Sequence, residues 1–139
     1  PALVAPIVSV RKHSGLMVPA PVQHAMAVAL NDTEHVERQR SVYAVRRALL
    51  LEALTDVGLD VDPDSAAGLY LWVADPANPT DSWALVNRLA ELGILVAPGD
   101  FYGEAGAGRV RMSLTDTDER VAAAAARLRS PEAAALFAG

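Results

Sequence analysis

Apolar and polar positions follow two different periods along this chain, and the change from one to the other divides it. From Thr33 to about Val57, Val42, Val45, Leu49, Ala53 and Val57 recur at helical spacing, while Arg38, Arg40, Arg46 and Glu52 fall on other faces. This is the longest predicted helix, with Asn31 and Asp32 before it as caps, Glu34 in its first turn and Gly58 after it as a stop. Leu49, Leu50 and Leu51 widen its apolar stripe, so it is expected to pack on two sides. Ahead of it, residues 2–13 read as the end of a helix, with Pro6 arguing against a regular helix through residues 2–5. Gly15, Pro19 and Pro21 mark a loop, and Val22 to Leu30 a second helix that starts on Pro21.

After Gly58 the period shortens. Leu59-Asp60-Val61-Asp62 alternates, residues 63–67 turn, and Gly68 to Val73 reads as a strand. A helix from Trp83 to Gly93, a short strand over residues 94–97, a Gly-rich loop over 98–108 and a strand over 109–114 follow. Thr115 and Asp118 are read as a capping pair for a helix through Leu128, and Pro131 as the start of a short terminal helix. This order predicts an α/β (α+β) two-layer fold: a small mixed sheet with helices packed on one side. No internal repeat is visible.

Composition adds limits. Of the 139 residues, 52% are hydrophobic and 21% charged, enough to bury a core. The net charge of −5, with both signs interspersed, lacks the basic footprint of a nucleic-acid binder. No apolar run reaches the ~18–20 residues that span a bilayer, so no membrane partner is expected. There is no cysteine, which removes disulfides and thiolate metal sites. A start at Pro1-Ala2-Leu3-Val4, in mid-pattern, is read as that of a fragment. Among twelve basic residues one is a lysine, Lys12, so any reaction that needs a Schiff-base lysine must use it or a residue outside this sequence.

Candidate chemistry is sparse. Alternation along residues 109–114 puts Val110, Met112 and Leu114 on one face and Arg109, Arg111 and Ser113 on the other. A guanidinium on a rigid strand can clamp a carboxylate through two parallel hydrogen bonds. The same pattern also fits the solvated face of an edge strand. The glycines of the loop over 98–108 lead into a strand instead of a helix, so a phosphate cradle is not expected, and the loop reads as a substrate-side loop or a connector. His13, His24 and His35 lack metal-ligand spacing, and Asp60, Asp62 and Asp64 lack the Gly and distal Glu of a calcium loop.

Four stretches, in order and with compatible spacing, resemble class I pyridoxal-phosphate-dependent aminotransferases, and within that family the succinyldiaminopimelate aminotransferase branch. They are Arg11 to Gln23, the Gly-aromatic strand Ala67 to Trp72, the loop Leu92 to Gly103, and the strand Val110 to Thr115. The resemblance implies the C-terminal portion of a fold-type I enzyme. Residues 1–30 would be the end of the large domain with a connecting loop and helix. Residues 31–139 would be the small domain, with residues 33–57 as the inter-domain helix.

The same resemblance implies amino transfer from glutamate to N-succinyl-2-amino-6-oxopimelate, in the diaminopimelate and lysine route, in a cytoplasmic homodimer. Arg111 matches the family's substrate-carboxylate arginine, with Arg109 as runner-up; Tyr70, Phe101 and Tyr102 match aromatic positions near the substrate and its entrance. His13, Ser14 and Gly15 match a loop that approaches the partner subunit. Nothing here matches the family's Schiff-base lysine, ring-nitrogen aspartate or phosphate loop. The cofactor, pyridoxal 5'-phosphate, would therefore be held mainly by sequence outside this chain, and the chain alone would be inactive. Other class I aminotransferases acting on aspartate, alanine or aromatic substrates, and the aminotransferase-like sensor domains of transcription regulators, remain alternatives.

Overall fold

The computed structural model describes residues 2–138, and they form two compact units, the first ending at Arg38 and the second beginning at Gln39. The first unit is helical, with α1 over Val4–His13 and α2 over Ala20–Leu30. Pro6 does not prevent α1, because it sits in the first turn, where a missing N–H costs no helical hydrogen bond. Pro21 occupies the same kind of position in α2. The loop between the helices is tied down by side chains: Arg11 donates to the Leu16 carbonyl at 3.0 and 3.2 Å, and Gln23 to that of Val18 at 2.7 Å. No residue of either helix is buried.

A long helix, α3 (Thr33–Asp56), is capped by the Asp32 carboxylate, which accepts from the His35 N–H at 3.0 Å. Its buried residues are Leu50, Ala53 and Leu54; of the stripe read from the sequence, Ala53 is buried and Leu49 and Val57 pack against the core, whereas Val45 is 70% exposed. The second unit then runs β1 (Asp60–Val61), β2 (Tyr70–Ala74), α4 (Ser82–Glu91), β3 (Ala97–Pro98), β4 (Arg109–Ser113), α5 (Asp118–Leu128) and α6 (Pro131–Phe137). The strands form one sheet in the order β1-β2-β4-β3. The α/β character agrees with the expectation, but the sheet is antiparallel at all three pairings, where a mixed one was expected.

Two local readings also change. The apolar run Ile94-Leu95-Val96 is not a strand: Ile94 drops into the core, Leu95 is 87% exposed, and pairing begins only at Ala97. The cap of α5 is Thr117, whose hydroxyl accepts from the Arg120 N–H, while Thr115 bonds back to Ser113. Asp81 and Ser130 cap α4 and α6 in the same way.

The core sits against one face of the sheet. Leu71 and Val73 of β2 and Val110 and Met112 of β4 meet Leu50 and Leu54 of α3, Leu85 and Leu89 of α4, and Val121, Ala125 and Leu128 of α5. Strand alternation therefore turns Tyr70, Trp72, Arg109, Arg111 and Ser113 to the opposite face, where they are partly or wholly exposed.

Candidate functional site: an arginine held between aromatic rings

That outward face carries the candidate site. Arg111 lies on β4 with β2 on one side and β3 on the other, its Cα paired with those of Trp72 and Ala97. It is therefore on an internal strand, which removes the edge-strand alternative. Tyr70 is paired with Ser113, one diagonal step from Arg111 on the same face, a separation that long side chains bridge. The guanidinium carbon of Arg111 stands 4.0 Å from the centre of the Tyr70 ring and 5.2 Å from that of Tyr102. Both distances are within the range of cation–π attraction. Trp72 in turn meets Tyr102 edge-on, with ring centres 5.6 Å apart and planes at 78°.

Arg111 is partly buried, and its Nε is fully covered without a hydrogen-bond partner. Its guanidinium borders an open concavity of ≈ 380 Å³, which Tyr70, Trp72, Ser65, Asp62 and Asp64 also line. A larger cavity, ≈ 570 Å³, lies beside α5 and holds none of the predicted site residues. Its two arginines are engaged already, Arg120 with Asp116 and Arg127 with the Gly93 carbonyl. The smaller concavity is the better candidate because it combines a cation with aromatic walls.

The other predicted residues are placed differently. Arg109 forms an ion pair with Asp62 at 3.3 Å, whereas Arg111 has no acidic partner within ion-pair distance among the described residues. Phe101 turns away from its neighbour Tyr102: it packs edge-on against Trp83 with centres 6.1 Å apart, and is 70% exposed. His13, Ser14 and Gly15 close α1 in the first unit and are exposed. Trp72 and Ser65 were not proposed as site residues from the sequence, and Asp62 was weighed there only as part of a calcium loop. A signal for Trp72 existed, since it shares the period-two face of Tyr70.

The Gly-rich loop is built for close packing. A Cβ on Gly99 would lie 2.0 Å from the Gly106 carbonyl oxygen, and one on Gly108, at φ +73°, 1.8 Å from that of Pro79. Two short 3-10 turns, Gly99–Tyr102 and Glu104–Gly106, fold the loop on itself, with the Ser82 hydroxyl donating to the Asp100 carboxylate at 3.2 Å. These close approaches pack the loop's backbone against itself and against Pro79. The single lysine, Lys12, is exposed in the last turn of α1 between Arg11 and His13. The residues of this chain thus do not fit pyridoxal phosphate, and the chemistry they can supply is carboxylate recognition. Among the described residues no group of three His, Cys, Asp or Glu could hold a metal ion, and no helix is long and apolar enough to cross a membrane.

The chain is similar to named proteins along most of its length. It is 57% identical over 128 residues to 4-dedimethylamino-4-oxo-anhydrotetracycline transaminase OxyQ of Streptomyces rimosus, covering 92% of this chain and 34% of that protein. It is 56% identical to a probable aminotransferase of Mycobacterium tuberculosis, Rv1178, covering 91% of this chain and 29% of that one. An LL-diaminopimelate aminotransferase of Aquifex aeolicus is 38% identical over 110 residues, 78% of this chain and 28% of the relative. The chain thus spans about a third of the length of these relatives. Among solved structures, aspartate aminotransferase of Thermus thermophilus with maleate superposes with a TM-score of 0.73 at 32% identity, over 92% of this chain and 32% of that one. Aromatic aminotransferase of Pyrococcus horikoshii OT3 gives 0.75 at 27% identity, over 87% and 33%. The family model described as aminotransferase class I and II matches residues 7–128, well over half of the chain, which therefore belongs to that family.

Proposed function

We propose that this chain is the C-terminal, carboxylate-binding portion of a pyridoxal-phosphate-dependent aminotransferase, with Arg111 as the anchor for the α-carboxylate of amino-acid and 2-oxo-acid substrates. The observation that carries the reading is the state of Arg111: a guanidinium on a rigid internal strand, against two aromatic rings, at a concavity, with Nε left without a partner. Such a group retains its hydrogen-bonding fork for a bidentate ligand. Arg109 has Asp62 instead and is the weaker choice. The cofactor, with its lysine, ring-nitrogen aspartate and phosphate loop, belongs in this reading to sequence outside the chain, in a homodimeric parent. His13, Ser14 and Gly15 approach the partner subunit in that assembly. When bound there, pyridoxal phosphate supplies the electron sink of amino transfer, while this chain binds and orients the substrate.

For the substrate we place first glutamate as donor and N-succinyl-2-amino-6-oxopimelate as acceptor, on the branch resemblance of the four motifs. A second reading is favoured by the 57% identity to a transaminase named for an anhydrotetracycline ketone: a polycyclic ketone acceptor in place of the oxopimelate. Assaying the full-length protein with glutamate and each acceptor class separates the two. Turnover of the oxopimelate with none of the polycyclic ketone supports the first, and the reverse result replaces it with the second. Arg111→Lys in the same protein tests the anchor: loss of the bidentate fork is expected to weaken carboxylate binding by about 1.5–3 kcal/mol, seen as a raised KM for glutamate. An unchanged KM would remove Arg111 from the role.

A further inference from the structure

The side chains that hold the Arg111 guanidinium are themselves held, and the chain of contacts leads to Trp72 on the wall of the same concavity. With Nε covered and unbonded, no hydrogen bond at that atom orients the group. Its plane is left to the two rings that it faces, Tyr70 at 4.0 Å and Tyr102 at 5.2 Å. Tyr70 stands on β2 and is fixed by the strand. Tyr102 has no such support: it ends a short 3-10 turn in the Gly-rich loop, is half exposed, and is followed by Gly103 at φ +96°. What steadies its ring is the edge of Trp72, 5.6 Å away at 78°.

Trp72 is anchored from behind. Its backbone N–H donates to the Ser65 hydroxyl at 3.0 Å, and its backbone carbonyl accepts from the Asp62 N–H at 2.8 Å. The turn that supplies both partners is closed by Ser65 N–H to the Asp62 carbonyl at 2.9 Å and by Asp64 N–H to the Asp62 carboxylate at 3.0 Å. Register adds to this, because Trp72 is directly opposite Arg111 on the outward face.

We propose that Trp72 is a positioning residue for substrate-carboxylate recognition: it fixes the ring of Tyr102 and, through that ring, the plane of the Arg111 guanidinium. The inference rests on the reading of Arg111 as the carboxylate anchor. A purely structural Trp72 would serve only the sheet, and its loss would then lower stability without moving substrate affinity.

The test uses the full-length aminotransferase and steady-state kinetics with glutamate, with Arg111→Lys as reference. Trp72→Leu is expected to raise the KM for glutamate about three- to tenfold while kcat stays within about twofold, the scale of one aromatic pair. Trp72→Phe, which keeps an aromatic edge, should restore KM to within about twofold of the parent. The double variant Trp72→Leu/Tyr102→Leu should be no worse than Tyr102→Leu alone, since the first acts through the second. Should Trp72→Leu fail to fold, Trp72→Thr, suited to an outward strand position, carries the same expectation. An unchanged KM in Trp72→Leu or Trp72→Thr, or additive effects in the double variant, overturns the proposal while leaving the anchor in place. An unchanged KM in Arg111→Lys itself overturns the anchor, and this inference with it.

Discussion

Arg111 and the rings beside it show how few contacts set the property of a single group. The Tyr70 ring, 4.0 Å from the guanidinium carbon, contributes attraction of about 0.5–2 kcal/mol, depending on how far the pair is desolvated. Tyr70→Leu in the full-length protein should therefore weaken carboxylate binding less than Arg111→Lys does, which side-by-side inhibition constants for a dicarboxylate would show. Glycines make the opposite point, since what matters at Gly99 is the absence of an atom. Its Cβ would meet the Gly106 carbonyl oxygen at 2.0 Å, backbone against backbone, so one strand of the loop must move. Gly99→Ala is expected to destabilise this chain by about 1–3 kcal/mol or more, read from its urea midpoint. The buried Asp75 is a third case: it accepts from Arg88, from Asn78 and from the Ala77 N–H, which satisfies a carboxylate only 4% exposed.

At the scale of elements, helix ends and strand faces decide what could be read in advance. Alternation along residues 109–114 put Arg111 on the face away from the core without any knowledge of the fold, because period two is local. Trp72 was passed over because its relation to Arg111 is a matter of register between β2 and β4, and register is set by pairing across some forty residues of chain. Phe101 and Tyr102 could not be told apart in the sequence for a related reason. A loop has no period, so only the Trp83 and Trp72 edges on either side determine which ring goes where. The run 94–96 was over-read as a strand because three apolar residues satisfy that pattern even when one of them, Ile94, is all the core takes.

Caps give the testable energetics at this scale. Thr117→Ala and Ser130→Ala should each cost about 1 kcal/mol in denaturant melts of the chain. Their neighbours add a pH dependence. The Glu119 carboxyl is held below its ordinary range by its own N–H and by the Thr117 hydroxyl, and that of Glu132 by its own N–H and the Ser130 hydroxyl. A carboxyl whose value is lower in the folded than in the unfolded chain stabilises above the unfolded value. That contribution is lost as pH falls through the folded one. Stability should therefore decline below about pH 4, and less steeply in the Glu119→Gln/Glu132→Gln variant, when urea midpoints are compared at several acid pH values.

For the molecule as a whole, the division at residues 38 and 39 separates segments of unequal stability. No residue of α1 or α2 is buried, whereas α3, α4 and α5 each contribute buried residues to one core. A cleft of ≈ 550 Å³ between α1 and α2 is lined by Ile7, Val8, Met17 and Met26, all exposed. Segments with few buried contacts open at low free-energy cost. Hydrogen exchange should accordingly show amides before residue 31 protected far less than those of β2 and β4. Protection of the two segments at equal levels would contradict this picture.

Strand β4 serves two masters. Every second side chain along it closes the interior, and those between face outward around Arg111. In a saturation library of the parent gene, substitutions at 110, 112 and 114 should lower soluble accumulation, whereas those at 111 should yield abundant protein with weakened substrate turnover. Fitness plotted against position would then oscillate every other codon, with soluble yield and turnover falling in alternation.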